Sequence, residues 1–410
     1  VNQMNRWSNK QPAREKCRGL FGLALILIPT SWSLACEFCS APSVTLSKQR
    51  DQAAAVLYVE FIANSKPKVQ FQPGLKVLIQ PARTEYEVVK VLVDRLGRFP
   101  DPTRIFVPGT HSAQPEATYL LMPTSFENDW TWKTPLPVTP AGARYVANLP
   151  DLEQPMPDRL KYFLKHLESP EVMIANDAYG EFAQAPYPEI RELRESLPRT
   201  KVRQWIDDED TLVTRLGLYG ILLGLSGREG DAHSLAQRIQ KPTAPDEIRL
   251  GIDGIMAGYL LLKGEAGLPL IEERLRKKDT EPNYSEVFAA MKAVEFCWMY
   301  EESFPRDSLK QTQRLLLEHP DVADLAIITL SRWKDWTIQE RLMEMYDQKE
   351  FDFPAIKRTI IRYFRICSKE TDPSTGKPIQ HALSAKQHLE TLRSKDPERV
   401  QQVERFFRVE

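Results

Sequence analysis

The spacing of apolar and polar residues changes character once along the chain. Short β-branched and aromatic runs occupy positions 56–62, 75–79, 86–93, 105–107 and 119–122, and Pro73-Gly74, Gly97 and Pro108-Gly109 separate them. Runs of this length between turn residues predict strands, and five at this spacing predict a compact sheet or small barrel. From about residue 155 the apolar period lengthens to that of amphipathic helices and stays so to the C-terminus. Helix starts recur there with capping chemistry. Ser169-Pro170-Glu171 and Asp396-Pro397-Glu398 each offer a cap, a proline suited to the first helical position, and an acid near the positive dipole end.

The helical part repeats itself. Arg215-Leu216-Gly217-Leu218-Tyr219-Gly220-Ile221 returns as Arg249-Leu250-Gly251-Ile252-Asp253-Gly254-Ile255, and each copy is followed by a glycine-bearing turn and an amphipathic helix, at 232–239 and 268–275. Looser copies stand at 174–182, 287–296, 325–333 and 355–364. Their separation is that of one helical hairpin in a solenoid, a unit that buries its apolar face only by stacking on neighbours. Glycine inside a helix costs about 1 kcal/mol relative to alanine, so Gly217 and Gly251 point to close approach of neighbouring inner helices. On these residues the region 155–370 resembles HEAT repeats. The resemblance implies an α-α superhelix with an extended binding surface and brings no catalytic residues. Residues 371–410 read as a loop and helices that cap the array, with Val400, Val403 and Phe407 on one face. Because such arrays are held by neighbouring hairpins, the chain from about residue 155 is expected to fold without the β-rich part.

The first residues follow another logic. Arg6, Lys10, Arg14, Lys16 and Arg18 precede an apolar stretch at 20–28, then Pro29, with small residues at Ser33 and Ala35. This is the layout of a secretory signal over 1–35, cleaved after Ala35, and its apolar core is short for a membrane span. The protein is therefore expected to be secreted or periplasmic. Cleavage would leave Cys36 first, and a lipoprotein signal is the rival, although Ser33 stands where a large aliphatic residue belongs. Membrane attachment is expected only if Cys36 is lipidated. Cys36-Glu37-Phe38-Cys39, the strands at 53–62 and 86–93, and Tyr119-Leu120-Leu121 come in an order that resembles netrin-like domains, the OB-type barrel of tissue inhibitors of metalloproteinases. The cysteine spacing is C-x-x-C where that family has C-x-C, and no downstream cysteine in this part could serve as a partner. The resemblance implies an OB-like barrel over 36–150.

Composition adds limits. With 42% hydrophobic and 27% charged residues the chain can bury a sizeable core, and a net charge of −1 gives no reason to expect nucleic acid as a partner. Of the five cysteines, Cys297 and Cys367 read as small buried hydrophobes. Cys36 and Cys39 can form a disulfide clip, act as a redox or metal pair, or lose Cys36 to lipidation. A redox pair wants its first thiolate at a helix N-terminus, and here a strand follows. Asp207-Asp208-Glu209-Asp210 satisfies a helix N-terminus or, alternatively, collects oxygens for a divalent cation. Asp177 and Glu181, one turn apart, form an acid pair, a solvated face, or partners for basic residues of the next repeat. Gly224-Leu225-Ser226-Gly227 lacks the nucleophile-elbow spacing, and Asp231, His233 and Ser234 are too close on one helix to make a relay. Phosphate-loop, zincin and dinucleotide fingerprints are absent from the sequence. Asn283-Tyr284-Ser285 is a glycosylation sequon. Arg358, Arg362 and Arg365 share a helical face opposite Ile360 and Phe364: a solvated face, or an electropositive stripe for an acidic partner.

The expected fold class is therefore multidomain α and β, an N-terminal small OB-like β-barrel followed by a C-terminal α-α superhelix of HEAT-like hairpins. The expected function is that of an exported non-enzymatic binding or scaffold protein, without a cofactor, that offers its solenoid surface to a protein partner. The alternatives are a protease-inhibitor or matrix-binding module working through the β-domain, and an enzyme with an interdomain site.

Overall fold

A computed structural model describes residue 38 and residues 44–71, 77–95, 97–99, 104–112, 114–126, 129–242, 244, 247–276 and 283–406. After a short helix α1 (Leu46–Gln52) come strands β1 (Ala55–Ser65), β2 (Lys68–Phe71), β3 (Val77–Gln80), β4 (Arg83–Asp94), β5 (Arg104–Pro108), β6 (Thr118–Leu121), β7 (Thr124–Phe126), β8 (Asp129–Thr131) and β9 (Leu136–Pro137). The expected barrel does not close among the described residues. Five strands make an open antiparallel sheet in the order β5-β4-β1-β6-β9, while β2–β3 and β7–β8 are separate hairpins. Closure would give every strand two hydrogen-bonded neighbours. Here β1 and β4 are long and bulged, but β9 holds only Leu136 and Pro137, and β5 pairs with β4 alone. Residues 77–79 of the run expected as a strand at 75–79 fall in the detached hairpin, residues 75 and 76 lie outside the described residues, and β9 takes the place in the main sheet.

The two faces of the sheet serve different cores. Leu57, Val59, Phe61, Tyr86, Val88, Ile105, Val107, Tyr119 and Leu121 alternate onto one face and pack with Phe99 and Trp132. Val56 and Leu120 turn the other way and join the helical core, which runs without a break to Val403.

The helices are α2 (Pro140–Ala147), α3 (Met156–Leu164), α4 (Val172–Gln184), α5 (Tyr187–Arg191), α6 (Arg199–Asp207), α7 (Leu216–Ser226), α8 (Glu229–Gln240), α9 (Ile252–Lys263), α10 (Leu268–Leu275), α11 (Tyr284–Tyr300), α12 (Arg306–Leu315), α13 (Ala323–Arg332), α14 (Gln339–Asp347), α15 (Pro354–Cys367), α16 (Gln380–Lys395) and α17 (Pro397–Phe406). Mixed α and β is thus the observed class. Asp396 accepts the Arg399 amide and Pro397 opens α17, as the sequence predicts. At Ser169 the helix starts two residues later than expected, with Glu171 as its cap residue.

Neighbours along the chain pack as pairs, α6 on α7, α8 on α9 and α14 on α15, and α7 lies on α9, α9 on α11, and α13 on α15. The rings of Trp298 on α11 and Trp333 after α13 stack at 4.0 Å. Glycine makes the tightest of these contacts. A Cβ on Gly254 would stand 2.1 Å from the Gly217 carbonyl oxygen, and one on Gly258 2.0 Å from that of Gly220. The backbones of α7 and α9 therefore touch. Gly217 sits inside α7 as expected, but Gly251 is the cap residue of α9 with φ 77°, a left-handed conformation that favours glycine. The stretch Ile252–Leu275 has the length and hydropathy of a membrane span, yet more than half of it is buried inside the fold and Gly264 interrupts the helix.

Residues before 155 reach into the helical part. Phe38 is buried against Phe296 on α11, with ring centroids 5.1 Å apart, and its carbonyl faces Gly217. Leu46 on α1 and Tyr145 on α2 both bond Asp177 on α4. A fragment starting near Pro155 would lose all three contacts.

Candidate functional site

Two places bring polar groups to a depression. The first is the groove between α13 and α15. Helix α15 buries Ile356, Ile360, Ile361, Tyr363, Phe364 and Cys367, which leaves its arginines on the opposite side. Arg358 and Arg362 are exposed, one turn apart. Arg365 is half-buried, and its Nη1 donates to the Val403 carbonyl of α17 at 3.0 Å. It thus clamps the last helix, and the exposed arginines of the stripe are the other two. Sequence reasoning missed the facing residue, Arg332 on α13, which is exposed and lines a slot of about 40 Å³ with Arg362, Thr359, Ile328 and Ile366. Ser331, at the same slot, is buried, and its Oγ has no hydrogen-bond partner.

The second place is where α1 and α2 meet α4. Helix α4 is apolar on nearly all sides, with Ile174, Ala175, Ala178, Tyr179, Phe182 and Ala183 buried, so its acids are drawn inside as well. Asp177 accepts the Leu46 amide at 2.6 Å and the Tyr145 hydroxyl at 2.7 Å. One turn on, Glu181 accepts from Arg159 Nη2 of α3 at 2.9 Å, with both side chains buried. Of the readings open for this pair, Glu181 does pair with a base, but with one from the preceding helix and not from the next repeat, and the pair is buried where none of the readings expected burial. Tyr162 donates to the Tyr145 carbonyl at 2.9 Å and closes the back of the cluster. Burial is the main cause that pushes the Asp177 carboxyl up to about 6, with Glu181 adding to it, while the Leu46 and Tyr145 donors pull the other way. Burial also raises the Tyr162 hydroxyl to about 12. Beside Asp177 opens a cleft of about 240 Å³. Arg159, Tyr145 and Thr45 of this cluster carry no spacing signal in the sequence; only the all-round apolarity of α4 hinted that its acids are buried.

A pH test follows for Asp177. Its carboxyl is raised in the folded state, so its contribution to stability is full below the unfolded value near 4 and is lost as pH rises to about 6. Two units correspond to about 3 kcal/mol. Asp231 and Asp335 are shifted down by their arginine partners and change stability in the opposite sense. They cancel when the parent is compared with Asp177→Asn. Urea denaturation from pH 4 to pH 7 is expected to show the parent losing stability relative to Asp177→Asn across that interval. Parallel curves would contradict the burial of an ionisable group at this position.

The remaining candidates that the structure describes take part in packing or local hydrogen bonds. Cys36 and Cys39 lie outside the described residues. Cys297 and Cys367 are buried free thiols, and burial raises both, Cys367 to about 12. Among the described residues no group of three or more His, Cys, Asp or Glu side chains is placed to hold a metal ion. In the 207–210 cluster Asp207 pairs with Arg203 at 3.5 Å, and Asp208 accepts the Asp210 amide. Ser226 bonds back to the Leu222 carbonyl at the end of α7. Asp231 is buried under Arg199, and His233 points to solvent, so they form no relay. Asn283 caps α11 and donates its amide to the Ala244 and Glu247 carbonyls. A glycan on that nitrogen is incompatible with these bonds. No protein-family model, no curated protein and no solved structure matches this chain.

Proposed function

We propose that the chain is an exported, non-enzymatic binding or scaffold protein that holds an acidic segment of a protein partner in the groove between α13 and α15. In this reading the row α7, α9, α11, α13 and α15 is the inner layer of a HEAT-like superhelix. The matching glycines that seat α9 on α7 support it. The secretory pattern of residues 1–35 is what supports a partner outside the cytoplasm in this reading.

The observation that carries the proposal is the groove itself. Arg332 on one wall and Arg362 on the other flank a floor of Ile328 and Ile366, with the unpartnered Ser331 hydroxyl at its side, and Arg358 is exposed one turn from Arg362 on the same helix. Guanidinium groups on both sides of an apolar slot attract carboxylates, and their forked donors match carboxylate geometry. Solenoids present such grooves because each repeat adds a similar ridge.

The test is fluorescence anisotropy with a labelled peptide of glutamates interspersed with leucines. The parent is expected to bind it, more weakly as salt rises. Arg332→Glu with Arg362→Glu is expected to weaken binding about tenfold or more, since reversing charges at an interface introduces like-charge repulsion. Lys165→Glu, far along the chain on an exposed site, is the control. Equal binding by parent, double variant and control would remove the groove as the site.

A further inference from the structure

Asp177 poses a problem that neither the fold nor the proposed groove resolves. It is a buried carboxylate with two donors and, among the described residues, no cation bonded to it. Neither its hydrogen bonds nor the charges acting on it include a basic side chain. Basic residues of the elements around it are engaged elsewhere: Arg159 with Glu181, Arg215 with Glu168, Lys48 with Gln184, and Arg50, which acts on Tyr162, with Asp151 and the Leu149 carbonyl. A buried ionised carboxylate without a counter-charge is costly, and proteins usually pair it or neutralise it.

The cleft beside it is shaped for what is missing. Thr45 lines it, is only 4% exposed, and its Oγ1 has no hydrogen-bond partner. Asn176 lines it next to Asp177, with its Oδ1 already accepting from Arg215. Val44, Leu46, Leu136 and Met173 give it apolar walls, Gly180 lies at its edge, and Gln49, the further polar residue of the lining, donates its Nε2 to the Val44 carbonyl at 2.8 Å. Among the described residues no basic side chain lines the cleft. At about 240 Å³ it is smaller than the ~300–1,000 Å³ of sites for drug-sized ligands, which limits the occupant to a few carbons.

We propose that this cleft binds a small aliphatic ammonium compound, with the positive head against the Asp177 carboxylate and Thr45 Oγ1 and the alkyl body on Leu46, Leu136 and Met173. The ammonium supplies the absent counter-charge and three N–H donors, which suit two free acceptor positions. An anion would meet Asp177 directly and is rejected; a neutral alcohol fills the same space but leaves the carboxylate unpaired. The site is independent of the groove between α13 and α15, and either proposal can fail without the other.

Acid is expected to compete with the ligand, because a proton and an ammonium group seek the same carboxylate. The groups that face Asp177 are Glu181 on α4, held by Arg159 from α3, the hydroxyls of Tyr145 on α2 and Tyr162 on α3, and the Leu46 amide of α1. His166 on the turn after α3 meets the Tyr145 ring edge to face and is lowered by burial. Of these, Asp177 is the group whose raised carboxyl titrates near pH 6.

The test is calorimetric titration of the full chain with n-butylammonium chloride at pH 7.5, with n-butanol and butyrate as comparators. Saturable one-to-one binding of n-butylammonium is expected, at least tenfold tighter than n-butanol, with no binding of butyrate. Affinity should fall at pH 5. Asp177→Asn should weaken binding at least tenfold, and Thr45→Val several-fold, while circular dichroism confirms that each variant is folded. If Asp177→Asn does not fold, Thr45→Val and the butanol comparison decide. No saturable binding by the parent, n-butanol binding as tightly as n-butylammonium, or a folded Asp177→Asn that keeps the affinity would each overturn the proposal.

Discussion

Replacing Gly258 with leucine is expected to destabilise the protein by about 3 kcal/mol or more, at or above the upper end of the usual overpacking range. Even the first atom of a side chain has no room there. A Cβ at Gly258 would stand 2.0 Å from the Gly220 carbonyl oxygen, and the obstacle is backbone in the middle of α7, which has no rotamer to change. Relief requires α7 and α9 to separate, and α7 is buried from Leu216 to Leu225. Gly254→Leu meets the Gly217 carbonyl in the same way at 2.1 Å and should behave alike. Gly230 on α8 is the control. A Cβ there meets nothing within 4 Å, so Gly230→Ala should be neutral or more stable by up to about 1 kcal/mol from helix propensity. Urea denaturation followed by circular dichroism compares the three. A Gly258→Leu midpoint equal to that of the parent would mean that the two backbones are not in contact.

Glu181→Ala is expected to cost about 3–5 kcal/mol, because it leaves a buried guanidinium without its charge partner. Arg159 and Glu181 side chains are 7% and 4% exposed and meet at 2.9 Å. The other contact of the Arg159 guanidinium is with the Met156 sulfur at 3.8 Å, which cannot replace a carboxylate. The pair is not fully satisfied either, since Arg159 Nε and Glu181 Oε1 have no hydrogen-bond partner. An incompletely bonded buried pair is one that apolar residues of similar volume can replace with little loss. The double variant Arg159→Met with Glu181→Leu should therefore recover most of the stability lost by Glu181→Ala. Equilibrium denaturation of the single and double variants separates the two effects. A loss below about 1 kcal/mol for Glu181→Ala would mean that water reaches Arg159, and the double variant would then show no recovery.

Local periodicity determined much of this protein. A stretch with period-2 alternation becomes a strand, and one with helical spacing becomes a helix, because each pattern places apolar side chains on one side of the backbone. The β-rich half, the helical half and the Asp396-Pro397 helix start were therefore legible in the sequence. The copy of Gly217 and Gly220 at Gly251 and Gly254 signalled that helices meet closely, although the left-handed cap at Gly251 was not visible from the repeat. Tertiary structure alone decided the rest. Whether five strands close into a barrel depends on which strand pairs with which, and the two-residue β9 at one edge and β5 at the other leave the sheet open. Whether three arginines at helical spacing act as one stripe depends on neighbours remote in sequence: α17 takes Arg365, and α13 contributes Arg332. Asp177 illustrates the same limit. Its donors come from Leu46 and Tyr145, 131 and 32 positions away, and contacts between residues so far apart leave no period for a sequence to display.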